Sequence, residues 1–167
     1  MDYTALLMSL VEKAAPSFVK ELFQRIRGNK IRIDSPQPGQ VAQRSVPIEG
    51  RKDLAYEVEG TLKRLPDGHR IWLIIEDERQ GRFWPQGFFP VRYNQAERKW
   101  VGRVNSFGGP DHKVIAVVVP PSISQLFDYY EQAGLKVGEY EPLRAIPAEC
   151  TNRAYVQAKF PPGSSAA

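Results

Sequence analysis

Cys150 is the only thiol in the chain, and a thiol becomes a nucleophile only where a base can draw off its proton. The two histidines, His69 and His112, are the available bases, and neither stands in a recognisable catalytic motif. Cys150 therefore reads as a small structural residue. Metal-capable side chains occur at His69, Glu76, Asp77, Glu78, Asp111 and His112, but without the His-Glu-x-x-His or paired Cys-x-x-Cys spacing that would gather them round an ion. Gly108-Gly109-Pro110-Asp111 has the glycines of a phosphate loop, lacks the Gly-Lys-Ser/Thr ending, and opens into a strand instead of a helix. It reads as a turn. With no nucleophile, acid and base pair or cofactor cradle to assemble, the expectation is a protein that is not an enzyme and holds no metal or cofactor.

The segment with the most to offer a ligand runs from Arg79 to Tyr93, where arginines interleave with aromatic rings. Arg79, Arg82, Phe83, Trp84, Phe88, Arg92 and Tyr93 make up this candidate binding surface. Aromatic platforms flanked by cations suit nucleic acid or sugar, because a stacked base is worth about 1 to 3 kcal/mol whatever its identity. The competing reading is structural: aromatics fill a core while arginine stems lie along its rim. Whether Phe83, Trp84, Phe88 and Tyr93 reach solvent together separates the two. Tyr129, Tyr130 and Tyr140 form a second aromatic set of which only part can be exposed, since one ring face has to pack.

These residues need a scaffold, and the spacing of apolar residues describes it. Between Tyr3 and Arg27 the period is helical, with Leu7, Leu10, Val11, Phe18 and Leu22 on one stripe, Pro16 as a kink or a second start, and Gly28-Asn29 as the end. This amphipathic helix is the candidate association element. From Lys30 the period becomes two. Strands are expected over Lys30–Ile33, Ser45–Glu49, Leu54–Leu62, His69–Ile75, Arg82–Trp84, Lys99–Val104, Lys113–Val119 and Thr151–Lys159. Ser35-Pro36-Gln37-Pro38-Gly39 and Leu65-Pro66-Asp67-Gly68 punctuate them as turns, and Pro85-Gln86-Gly87 reads as a break. Trp72 and Trp100 stand in alternating apolar runs and are expected in the core on facing strands. After Pro120-Pro121, a helix capped by Ser122 or Ser124 puts Ile123, Leu126, Phe127, Tyr130 and Ala133 on one face and closes at Gly134.

Strands separated by turns, with one crossover helix before the last, predict a mainly β antiparallel sandwich. The run Ile31-Arg32-Ile33-Asp34-Ser35-Pro36-Gln37-Pro38-Gly39-Gln40-Val41, followed by Val46-Pro47-Ile48-Glu49-Gly50, resembles the opening of bacterial immunoglobulin-like modules. Ile71-Trp72-Leu73, Trp84-Pro85-Gln86, Trp100 and the Val114–Val119 strand resemble later elements of that sandwich. The resemblance covers about 130 residues, Lys30 to Phe160, and implies an appendage that binds or presents something, with no catalytic residue to carry over. The paired cysteines that bridge the sheets of antibody domains are missing.

The expected organisation is an N-terminal amphipathic helical segment over 1–29, an immunoglobulin-like β-sandwich over 30–160 and a disordered tail over 161–167. A net charge of +4 spread over 23 basic and 19 acidic residues is a weak basic bias, without a block of like charge. Asp2 near the start, and Glu12 and Lys13 after the first apolar cluster, argue against a secretory signal, and no run approaches the roughly 18 apolar residues of a membrane span. The sequence thus points to a cytoplasmic interaction module. A protein partner or a second copy is the first expectation; nucleic acid or polysaccharide, through residues 79–93, is the second.

Overall fold

The computed structural model describes residues 29–42, 55–105, 111–150 and 152–159. The chain divides into two units, Met1–Lys30 and Ile31–Ala167, and every element described below belongs to the second. The expected N-terminal helix, the Ser45–Glu49 strand and the 161–167 tail lie outside the described residues.

The described strands are β1 (Arg32–Ser35), β2 (Ala55–Thr61), β3 (Arg70–Asp77), β4 (Arg82–Gln86), β5 (Arg92–Asn94), β6 (Lys99–Asn105), β7 (Asp111–Val119) and β8 (Arg153–Lys159), with helix α1 (Pro121–Val137) between the last two. They form two four-stranded antiparallel sheets, ordered β1-β2-β6-β5 and β4-β3-β7-β8. The fold is mainly β, as the alternation predicts, and the two sheets pack face to face.

Alternation along each strand decides which side chains meet. From the first sheet, Tyr56, Val58, Trp100 and Val104 point inward; from the second, Ile71, Leu73, Ile75, Val114, Ala116 and Val118 meet them. Gly60 leaves room for Trp100: a Cβ there would collide with the indole and with the Arg32 carbonyl. On the other side of the second sheet, Trp72, Ile74, Ile115, Val117 and Val119 lie under Ile123 and Phe127 of α1 and under Leu143, Ile146 and Cys150 of the segment after it. Both faces of β3 and β7 are therefore covered, which explains why their sequences are near-continuous apolar runs. Trp72 and Trp100 are both buried, but they do not face each other: Trp100 lies between the sheets and Trp72 under the helix.

Several boundaries differ from expectation for definable reasons. β4 runs through Pro85 and Gln86, since a proline is tolerated on an edge strand. β5 has only three residues, too few to display a period. The helix has Pro120 at its N-cap and Pro121 in the first turn, with no side-chain cap, so neither Ser122 nor Ser124 serves that purpose. Its end is at Gly138, in the left-handed conformation with its N–H donated to the Gly134 carbonyl at 2.8 Å. Gly134 is instead a buried helical position against the Tyr140 ring. Beyond β1 the Ser35–Pro36 peptide is cis, Gly39 adopts φ 75°, and the chain crosses to β8, where Val41 bridges Lys159 in parallel.

Candidate functional surface

The Arg79–Tyr93 segment begins at the β3–β4 hairpin. Asp77 Oδ1 accepts the N–H of Arg79 at 2.9 Å and of Gln80 at 3.3 Å, and Gly81 supplies a φ of 60°. Arg79 and Arg82 are thereby held in solvent. Along β4, Phe83 and Pro85 pair with Glu76 and Ile74 and share their helix-side face, while Trp84 and Gln86 pair with Ile75 and Leu73 and share the inter-sheet face. Phe83 is further fixed by two backbone bonds with Leu143, of 3.0 and 2.8 Å. Gln86 ties the sheets together, its Oε1 accepting the Asn105 N–H at 3.0 Å.

After Gly87 the chain crosses to the first sheet. Phe88 and Phe89 meet edge to face with centroids 5.0 Å apart, and the Arg103 guanidinium lies 5.7 Å from the Phe89 ring. In β5, Tyr93 pairs with Trp100 and turns inward, donating its hydroxyl to the Leu62 carbonyl at 3.0 Å. Arg92, on the opposite face, stands beside Val101 in solvent. Strand alternation thus disperses the aromatics of the segment. Phe83 belongs to the helix-side core, Trp84 and Tyr93 to the inter-sheet side, and only the corner of Phe88, Phe89, Arg92 and Arg103 keeps arginine and aromatic together on an outer surface.

Helix α1 supplies a surface of its own. On its inner side the Trp72 Nε1–H donates to Ser124 Oγ at 3.1 Å, and Trp72 packs edge to face on Phe127 at 5.2 Å. Arg70 lies over the indole at 5.1 Å and bonds both Asp128 oxygens, at 2.9 and 2.7 Å. Glu131 accepts the Gly87 N–H at 3.3 Å and bonds the Tyr140 side chain, while burial pushes its carboxyl pKa up. The Tyr130 hydroxyl oxygen is buried with no hydrogen-bond partner among the described residues, and burial pushes its pKa up as well.

On the outer side, Leu126 is 50% exposed, Tyr129 70% and Val137 71%. Leu126 and Ala133, expected on one face with Phe127, are exposed because the buried face centres on Ser124, Phe127 and Gly134. An unbroken three-and-four pattern allows either choice; the small residues Ser124 and Gly134, which admit close packing on Trp72 and Tyr140, were the available signal. A further exposed aromatic, Tyr155 at 71%, lies on β8 with the Lys113 ammonium 4.8 Å from its ring. Lys113 also pairs with Glu76 at 3.0 Å and Glu78 at 3.2 Å.

Cys150 is buried and burial pushes its thiol pKa up, against the direction a nucleophile needs, while Arg153 holds the Cys150 and Pro147 carbonyls. His69 Nδ1 lies 3.1 Å from the Asp67 carbonyl. Among the described residues no group of three His, Cys, Asp or Glu side chains is placed to hold a metal, and no helix is long and apolar enough to cross a membrane. Compared with known proteins, the chain matches no family model, no curated protein and no solved structure.

Proposed function

We propose that the chain is a non-catalytic interaction module, an immunoglobulin-like sandwich that binds a protein partner and uses the amphipathic N-terminal segment as its docking element. The observation that carries this reading is the strand order. With β1 to β8 taken as strands A, B, C, C′, D, E, F and G, the sheets β1-β2-β6-β5 and β4-β3-β7-β8 become A-B-E-D and C′-C-F-G, an immunoglobulin arrangement with a C′ strand added. Two departures mark it off from antibody domains: α1 is inserted before the last strand, and the strand-C tryptophan, Trp72, packs outward under that helix where antibody domains pack theirs on a disulfide. Such a sandwich is a scaffold, and binding is what its surfaces offer. The stripe of Leu7, Leu10, Val11, Phe18 and Leu22 has the composition of a helix that covers an apolar groove.

The test is affinity capture from the source cells with the intact protein as bait, beside Leu10→Glu and Phe18→Glu. A stoichiometric protein that is enriched by the parent and lost with both variants, at unchanged melting temperature, is the expected result. Equal capture by parent and variants overturns the docking role. The second reading, nucleic acid or polysaccharide binding, rests on Arg103 lying over Phe89 beside Phe88 and Arg92. It requires saturable binding to a single-stranded oligonucleotide or an anionic polysaccharide that falls with salt and with Arg92→Ala and Arg103→Ala.

A further inference from the structure

At the end of the sandwich where β1 begins, β2 finishes and β6 begins, Arg32, Thr61 and Lys99 are direct neighbours across the three strands, which sets the Cα atoms of Arg32 and Lys99 about 10 Å apart. The Leu62 N–H donates to the Arg98 carbonyl at 2.9 Å, so the connection carrying Lys63 is tied to the one carrying Arg98. Arg32, Lys63, Arg98 and Lys99 are all exposed, and none of them forms an ion pair among the described residues. Asp67 and Glu97, the carboxylates of the two connections, are too few to offset them. Arg98 stands at φ 58°, a left-handed backbone in which glycine is less strained, and is the only non-glycine there among the described residues. Like charges at about one Debye length are only partly screened, so this end keeps a positive field.

Resting on the docking reading above, we propose that this end is the second half of the same interface and that the protein partner presents a carboxylate-rich surface to it. Leu22 closes the apolar stripe nine residues before Ile31, a length of chain that spans at most about 30 Å. A partner that holds the stripe is therefore within reach of Arg32, and its adjoining surface meets uncompensated cations. Positive charge there would oppose association, whereas carboxylates speed encounter and fix the register. Protein carboxylates fit this end better than nucleic acid or a lipid surface. Tyr93 and Trp100 turn inward, leaving no exposed ring to stack on a base and no cluster of exposed apolar side chains to enter a bilayer.

The probe is a fluorescent poly-glutamate peptide, titrated by anisotropy into the purified full chain at low salt, with an oligothymidylate of equal charge and phosphatidylserine-containing vesicles as separate arms. The peptide is expected to bind, and to lose about tenfold in affinity with Arg98→Glu plus Lys99→Glu at unchanged circular dichroism. Arg32→Glu plus Lys63→Glu, clear of the strained turn, should give a similar loss. Lys136→Glu plus Arg144→Glu, an equal change of net charge on α1 and the segment after it, should stay within about twofold of the parent. The oligothymidylate should bind no tighter than the peptide, and any vesicle binding should be indifferent to Arg98→Glu plus Lys99→Glu. Absence of peptide binding, equal losses in the patch and control variants, tighter binding of oligothymidylate, or vesicle binding that disappears with the patch overturns the proposal. No partner enters the titration, so its failure leaves the capture result for the apolar stripe standing, and a failed capture leaves the peptide result standing.

Discussion

At the scale of single residues, the junction between α1 and the end of β4 holds the most informative side chains. The Tyr130 hydroxyl oxygen is buried without a partner among the described residues, and an unsatisfied buried group costs stability. Tyr130→Phe keeps the ring beside Tyr140, with centroids 6.0 Å apart, and removes that cost. It is expected to stabilise the protein by about 1 kcal/mol in urea unfolding; a loss of similar size would mean that the hydroxyl is satisfied. Glu131 beside it has a raised pKa, first through burial, so folding favours its protonated form. Its contribution to stability is fully present below the ordinary carboxyl value of 4.5 and is lost as pH rises through the raised folded value. Glu131→Gln retains an oxygen for the Gly87 N–H and abolishes the titration. The melting temperature of this variant should match the parent near pH 4 and exceed it increasingly towards pH 7, whereas a gain confined to acid would reverse the assignment.

At the scale of elements, α1 illustrates where propensity yields to packing. Glycine within a helix normally costs roughly 1 kcal/mol relative to alanine, so Gly134→Ala should on propensity alone be stabilising. A Cβ at Gly134 collides with the Tyr140 ring, which also bonds Glu131, and the net effect is expected to be a loss of about 1 to 3 kcal/mol. Thermal melting decides it, and an increase in melting temperature would show that Tyr140 moves aside freely. The same contact explains why Gly134 resembled a helix end in the sequence: the glycine signal was real, but its cause was the ring of Tyr140 packed against it rather than a turn. Long elements were legible because their period is repeated: β2, β3, β6, β7 and β8 fall within a residue or two of expectation. β5 and the edge position of β4 were not, since three residues carry no period and edge status depends on the sheet as a whole. The placement of the candidate surface was less legible for a related reason. Richness in arginine and aromatics marks a segment, but alternation in β4 and β5 sends Phe83, Trp84 and Tyr93 to different sides, which only register decides.

At the scale of the molecule, one core lies between the sheets and a second lies beneath the helix. Trp100 anchors the first and Trp72 the second, so truncating either to alanine should cost about 3 to 5 kcal/mol, enough to unfold a domain of ordinary stability. An alanine variant melting within a degree or two of the parent would place the indole outside its core. Among the described residues both cores draw on Ile31 onward, and the docking role proposed for the stripe of Leu7, Leu10, Val11, Phe18 and Leu22 requires that this stripe add nothing to them. The most direct measurement is therefore a comparison of the intact chain with a shortened protein beginning at Asn29, in urea unfolding. If the N-terminal segment serves a partner and not the core, the shortened protein unfolds in one cooperative transition at nearly the same midpoint. A shortened protein that is unfolded in the absence of denaturant would make the segment part of the core and contradict its assignment as a docking element.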